Sequence, residues 1–225
     1  MNIKQILEKN SAEFANIFPF DLNKIKVFQI DFSVENKELY SLDLLNTDEL
    51  DKYVQSKLKE SNSEIGIGGY AENRLIYKRS EHFGKGDDSR SIHLGVDIWC
   101  KAQTPIFAFT DSIVHSFQIN DNFGDYGPTI ILQHTLENVT FYSLYGHLAA
   151  DSLEGLYEGK KISKNQQFAK IGNSSENGSW PPHLHFQIIT NMMGKKGDFF
   201  GVCSPSEKAK FLEICPDPNL ILKYG

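Results

Sequence analysis

From residue 91 onward the chain breaks into short apolar runs, each closed by a turn signal. The runs cover residues 92–99, 105–109, 113–117, 129–134, 139–147, 167–171 and 184–189. Asp111-Ser112, residues 120–127, Glu137-Asn138 and residues 173–178 separate them. Many short strands with no long helical period between them predict an antiparallel, mainly β domain. The last run is the most constrained. Pro181 and Pro182 stand directly before His183-Leu184-His185-Phe186-Gln187-Ile188. Neither proline can donate a backbone hydrogen bond, so the pair suits the entrance to a strand and not its middle. In a strand the side-chain period is two, which puts His183 and His185 on one face. Two imidazoles side by side can present a metal ligand next to a proton-transfer group. The plainer reading is a half-buried histidine pair on a sheet surface.

The stretch before residue 91 has a different texture. Ile3, Ile6, Leu7, Phe14, Ile17 and Phe18 are spaced for one or two short amphipathic helices. Residues 27–32 read as a strand, with Phe28, Ile30 and Phe32 on one face. A helix is expected over about 48–59, capped by Asn46 or Thr47, with Leu50, Tyr53, Val54 and Leu58 as its apolar stripe. Residues 61–64 are a polar break. The glycine-rich run Ile65-Gly66-Ile67-Gly68-Gly69-Tyr70 lacks the Gly-Lys-Ser/Thr of a phosphate loop and reads as a strand or turn where backbones approach closely. Residues 82–91 read as an exposed loop. The organisation expected is an α+β N-terminal appendage (1–64), a β domain (65–190) and a C-terminal tail (191–225) with a short helix near 206–215 stopped by Pro216 and Pro218.

The chain has 225 residues and a net charge of -6, so it carries no basic field to attract nucleic acid or an anionic membrane. No apolar run is long enough to span a bilayer. The N-terminus lacks the apolar core of a secretory signal, which predicts a cytoplasmic protein, or a secreted one if a leader has been removed. Cys100, Cys203 and Cys215 are an odd, widely spaced set with no zinc-motif spacing and no disulfide framework, as fits reduced structural thiols. Oligomeric state is not readable.

Among seven histidines, His93, His147, His183 and His185 fall in suggestive contexts. His93 and Asp97 are four apart and share a face in a strand or a helix. An imidazole, a carboxylate and one more imidazole from a distant strand make three ligands and leave a fourth tetrahedral position open, the arrangement of catalytic zinc. The alternative for His93 and Asp97 is a hydrogen-bonded pair that fixes a strand. His147 ends an aromatic strand just after Gly146, a residue that allows close approach. His82, His115 and His134 have no partner motif and read as structural or solvated.

His93-x-x-x-Asp97, then Tyr145-Gly146-His147-Leu148, then His183-Leu184-His185-Phe186, in this order, resemble the LytM/lysostaphin-type zinc metallopeptidases of family M23. Thr104-Pro105-Ile106-Phe107-Ala108 and Asp111-Ser112-Ile113-Val114 are similar to the segment after the first motif, with Ser112 where a glycine is usual. Residues 124–134, 159–162 and 166–172 resemble further family segments, so the resemblance covers roughly 91–189. It implies a lysostaphin-type fold, akin to the duplicated hybrid motif. It implies that His93, Asp97 and His185 hold Zn2+ and that His147 and His183 are catalytic, with a peptide or related amide as substrate. Two departures stand out. The family is usually secreted, because its usual substrate is cell-wall peptidoglycan. Residues 173–182, with Trp180, replace a short glycine-rich turn and are expected to line one wall of the groove, with residues 117–128 on another. Two alternatives remain: a cytoplasmic zinc amidase on a small substrate outside peptidoglycan, and a non-enzymatic binding or phosphocarrier module of similar fold, which would need no Asp97.

Overall fold

A computed structural model describes residues 2–79, 83–84 and 88–225. His82 and part of the loop expected over 82–91 lie outside the described residues. The first helix, α1 (Ile3–Asn10), opens on a reciprocal cap. The Asn2 side chain accepts from the Gln5 N–H, and the Gln5 side chain accepts from the Asn2 N–H. Phe14, Ile17 and Phe18 follow a 3-10 turn as irregular chain instead of forming a second helix, and are buried all the same.

The next three elements are a strand, a helix and a strand: β1 (Val27–Ile30), α2 (Thr47–Ser61) and β2 (Ile65–Gly68). Asn46 caps α2 by accepting from the N–H groups of Asp48 and Glu49. Leu50, Val54 and Leu58 are buried along one face, as the spacing predicts. The intervening helix lets β1 and β2 pair in parallel, because a parallel pair needs a long crossover. The sheet is therefore mixed, where antiparallel pairing alone was expected.

The remaining strands are β3 (Ile92–His93), β4 (Val96–Trp99), β5 (Pro105–Phe107), β6 (Ser112–Asn120), β7 (Gly127–Leu136) and β8 (Val139–Gly146). After them come β9 (Lys161–Ile162), β10 (Gln167–Lys170), β11 (His183–Ile189) and β12 (Val202–Cys203). Two short helices, α3 (Lys208–Ile214) and α4 (Asn219–Leu222), close the chain. One eight-stranded sheet runs β1-β2-β4-β11-β8-β7-β6-β9, so the strands before residue 70 extend the sheet that carries the histidines. The pairs β10-β5 and β12-β3 stand apart.

The two faces of the central strands divide the labour. Ile65, Ile67, Val96, Ile98, Tyr145, Leu184, Phe186 and Ile188 point into the main core. By the period of two, Asp97, Trp99, His183, His185 and Gln187 share the opposite face. The expected single strand over 92–99 is two strands. Leu94 N–H donates to the Gly201 carbonyl, drawing β3 toward β12, while β4 pairs with β2 and β11. The step falls at Gly95, where a Cβ would lie 2.6 Å from the His185 ring. Any side chain there would displace the imidazole.

Candidate metal centre

Register brings the motifs together. In β11, His185 lies between Asp97 of β4 and Gly146 of β8, and His183 lies opposite Trp99. His147 follows Gly146 with φ 61°, a left-handed conformation uncommon for a residue with a side chain. Its N–H donates to the Tyr126 carbonyl and its own carbonyl accepts from Gly172, which hold the backbone in that strained geometry. Gly146 does admit a close neighbour: a Cβ there would meet the Tyr126 ring at 2.6 Å. The five polar side chains His93, Asp97, His147, His183 and His185 are each no more than 5% exposed.

The hydrogen bonds fix which ring nitrogen of each histidine is free. His93 Nδ1 is 2.9 Å from the Gly69 carbonyl, His183 Nδ1 is 2.7 Å from the Pro181 carbonyl, and His147 Nδ1 is 2.7 Å from the Asn177 carbonyl. A carbonyl can only accept, so each Nδ1 carries the hydrogen and each Nε2 keeps its lone pair. His185 is reversed. Its Nε2 is 2.9 Å from Gln187 Oε1, and the Gln187 amide cannot be flipped, because its Nε2 donates to the Phe200 carbonyl at 3.0 Å. His185 therefore presents Nδ1 as its lone-pair atom.

Three acceptors then converge. His93 Nε2 is 3.1 Å from His185 Nδ1 and 3.3 Å from Asp97 Oδ1, and Asp97 Oδ1 is 3.1 Å from His185 Nδ1. Ligand atoms of these three residues all lie within 4.8 Å of one another. With the other nitrogens committed to carbonyl oxygens, this triangle holds lone pairs and a carboxylate and no hydrogen. A cation satisfies such a cage, and two imidazoles with one carboxylate suit a divalent metal of the zinc type. His183 Nε2 is 3.9 Å from Asp97 Oδ1, and the His183 and His147 rings lie 4.1 Å apart. Those two rings flank the triangle without joining it.

The electrostatics favour neutral imidazoles and an ionised carboxylate. Burial pushes His93 down to about 4, and the Arg74 charge adds to it. Burial likewise pulls His147 and His183 below the ordinary histidine value. Burial pushes Asp97 up, but its interactions with His93 and with the Arg74 guanidinium outweigh it and hold the carboxyl well below the usual range. Arg74 is itself buried. It bonds Asp97 Oδ2 through Nη1 and Glu72 through Nε at 2.7 Å, which leaves Asp97 Oδ1 for the triangle.

The sequence reading missed Gln187, Arg74 and Glu72. Gln187 had a signal, since it lies two residues beyond His185 on the same strand face. Arg74 and Glu72 had none, because they sit in irregular chain tied only by single bridges at Asn73 and Arg74. Among the other histidines, His134 is buried in the core against Phe109 and Phe141. His115 is partly buried beside Ser116 and Tyr142. Neither approaches the triangle. Trp180 lines the cavity beside His147 and His183, as the loop reading predicts.

A family model described as peptidase family M23 matches residues 91–197. The solved structures similar to the chain include these three. A zinc-containing peptidase from Vibrio cholerae has 22% identity over 44% of this chain and 27% of its own, with a TM-score of 0.35. The catalytic domain of the antimicrobial peptidase lysostaphin from Staphylococcus simulans has 24% identity over 53% of this chain and 80% of its own, with a TM-score of 0.34. A variant catalytic domain of the prophage-encoded M23 protein EnpA from Enterococcus faecalis has 21% identity over 52% and 82%, with a TM-score of 0.37. The chain spans about a quarter of the length of the V. cholerae peptidase, at 27%. No curated protein matches it.

Proposed function

We propose that this chain, which resembles the LytM/lysostaphin-type peptidases of family M23 over residues 91–197, is a zinc-dependent hydrolase of a peptide or related amide bond. The observation that carries the reading is the hydrogen-free triangle of His93 Nε2, Asp97 Oδ1 and His185 Nδ1. These three atoms would hold the zinc. Zinc bound there would lower the pKa of a water to about 7 and polarise the scissile carbonyl.

The remaining chemistry belongs to the protein. His183 and His147 keep their Nε2 lone pairs and are neutral near pH 7 because burial disfavours their charge. A neutral imidazole can accept a proton from the attacking water. Once protonated it can donate to the developing oxyanion or to the leaving nitrogen. The Pro181 and Asn177 carbonyls accept from the two Nδ1–H groups, so they fix each ring and stabilise the charged form as it appears. Arg74 and Glu72 orient Asp97, and Gln187 orients His185.

A phosphocarrier must offer its histidine to another protein. Here the histidines are buried and two of them, His93 and His185, are engaged with the Asp97 carboxylate, which favours the hydrolase. The test is elemental analysis of untagged protein, wild type beside His185→Ala. About one zinc per chain in the wild type and loss of it in the variant is the expected result. No zinc in either, even after incubation with zinc salt, would overturn the reading.

A further inference from the structure

The five side chains do not line an open groove. Asp97, His147, His183 and His185 line a cavity of ≈ 150 Å³, and about half of its lining residues lie outside residues 91–197. Phe32, Leu50, Tyr77, Trp180, Phe200 and Val202 are among the apolar side chains that line it. The walls are joined to each other. Thr47, the first residue of α2, donates its hydroxyl to the Ser179 carbonyl at 2.7 Å, so the N-terminal stretch is fastened to the loop that carries Trp180. Trp99 packs on Phe32 at 5.3 Å and lies against His183 at 5.6 Å, so the same wall reaches the reacting groups.

The size decides what can reach the metal site. Pockets that take drug-sized ligands run to about 300–1,000 Å³, well above this one. A sphere of the observed volume is roughly 7 Å across, and an extended chain advances about 3.4 Å per residue, so the cavity spans about two residues. A peptide running through the site would need room beyond that on both sides of the scissile bond. Phe32, Leu50, Tyr77, Phe200 and Val202 line the cavity, and their bulk limits that room.

We infer that the substrate is a dipeptide-sized amide, with no more than about one residue on either side of the bond that is cut. This rests on the hydrolase reading and narrows it, since an internal bond of a polymer does not reach the histidines. The apolar walls favour an apolar or aromatic group on at least one side.

The test uses inhibitors that bind a metallopeptidase site without the natural bond being known. A phosphinic dipeptide mimic is compared with the same unit extended by two residues at each end. Both are titrated calorimetrically into zinc-loaded full-length protein. The extended compound is expected to bind at least about a hundredfold more weakly, because it must displace walls that the short one does not touch. Equal or tighter binding of the extended compound would overturn the inference and leave the hydrolase reading standing. Protein that takes up no zinc overturns both, and the elemental analysis separates that outcome. Phe200→Ala, which shortens one wall away from the main core, is expected to narrow the gap between the two compounds. An unchanged gap in that variant, beside a weak extended ligand in the wild type, would count against the wall as its cause.

Discussion

Buried histidines occur in two settings and behave differently: His134 alone, and His93, His147, His183 and His185 around Asp97. His134, on β7, is packed between the Phe109 and Phe141 rings, with Nε2 2.7 Å from Ser143 Oγ, which donates onward to Tyr145. Burial pushes it down to about 3, so it is neutral, as burial also makes His93, His147 and His183. Its side-chain contacts are a hydroxyl and two phenyl rings, with no carboxylate side chain among those described. At the centre, backbone carbonyls and Gln187 take the N–H groups, and the bare nitrogens are turned toward one another and toward Asp97. Burial alone makes a neutral imidazole. Convergence of lone pairs, enforced from behind by acceptors, makes a cage that could hold a cation.

That contrast can be broken at several points. Asp97→Ala has the largest expected effect. It removes a proposed ligand and leaves Arg74 buried with one carboxylate where it had two. Zinc measured by elemental analysis should fall to background, and urea unfolding should show a loss of roughly 3 kcal/mol. Retention of zinc would mean that the triangle is not the binding site. His147→Ala should keep the metal and lose about a hundredfold to ten-thousandfold in kcat on any amide the wild type cleaves. Unchanged turnover would remove His147 from the chemistry. Gln187→Leu tests the acceptor behind His185. Zinc affinity, read by chelator competition, should weaken by about tenfold to a hundredfold.

The smallest effect sharpens the other side of the comparison. His134 has a folded pKa below its unfolded one, so the unfolded chain takes up the proton first as pH falls. Its contribution to stability is complete above about pH 6.5, shrinks as pH drops through that value, and levels off near the folded pKa. By pH 5 the loss from this one residue is about 2 kcal/mol. His134→Phe should flatten the fall in urea stability between pH 7 and pH 5 by that amount and leave zinc content unchanged. An unaltered slope would show that His134 is not held neutral by the core.

Much of this site was legible in the sequence because it depends on period and order. His183 and His185 share a face by the alternation of a strand. The prolines before them mark its entrance, and the three motifs occur in family order. Helix α2 was legible through Asn46 and the Leu50, Val54, Leu58 stripe. What escaped depends on chain far away in sequence. The free nitrogen of each ring is chosen by carbonyls of Gly69, Asn177 and Pro181, and irregular backbone has no pattern to read. Arg74 was hidden for the same reason. The parallel pairing of β1 with β2 was missed because the N-terminal strand was read as an appendage, with no partner assigned across the helix that follows it. The break at Gly95 escaped because the apolar run is continuous there and only the His185 ring interrupts it.

The place of β2 has a practical consequence for anyone who trims this protein. In the register of the sheet, Gly68 lies directly beside Asp97. A fragment cut back to residues 91–197 would turn β4 into a bare outer strand, with unpaired N–H and C=O groups around Asp97. Such an edge recruits strands from other molecules. Inactivity or precipitation of that fragment would report the loss of a neighbouring strand, and would say nothing about the chemistry of the histidines.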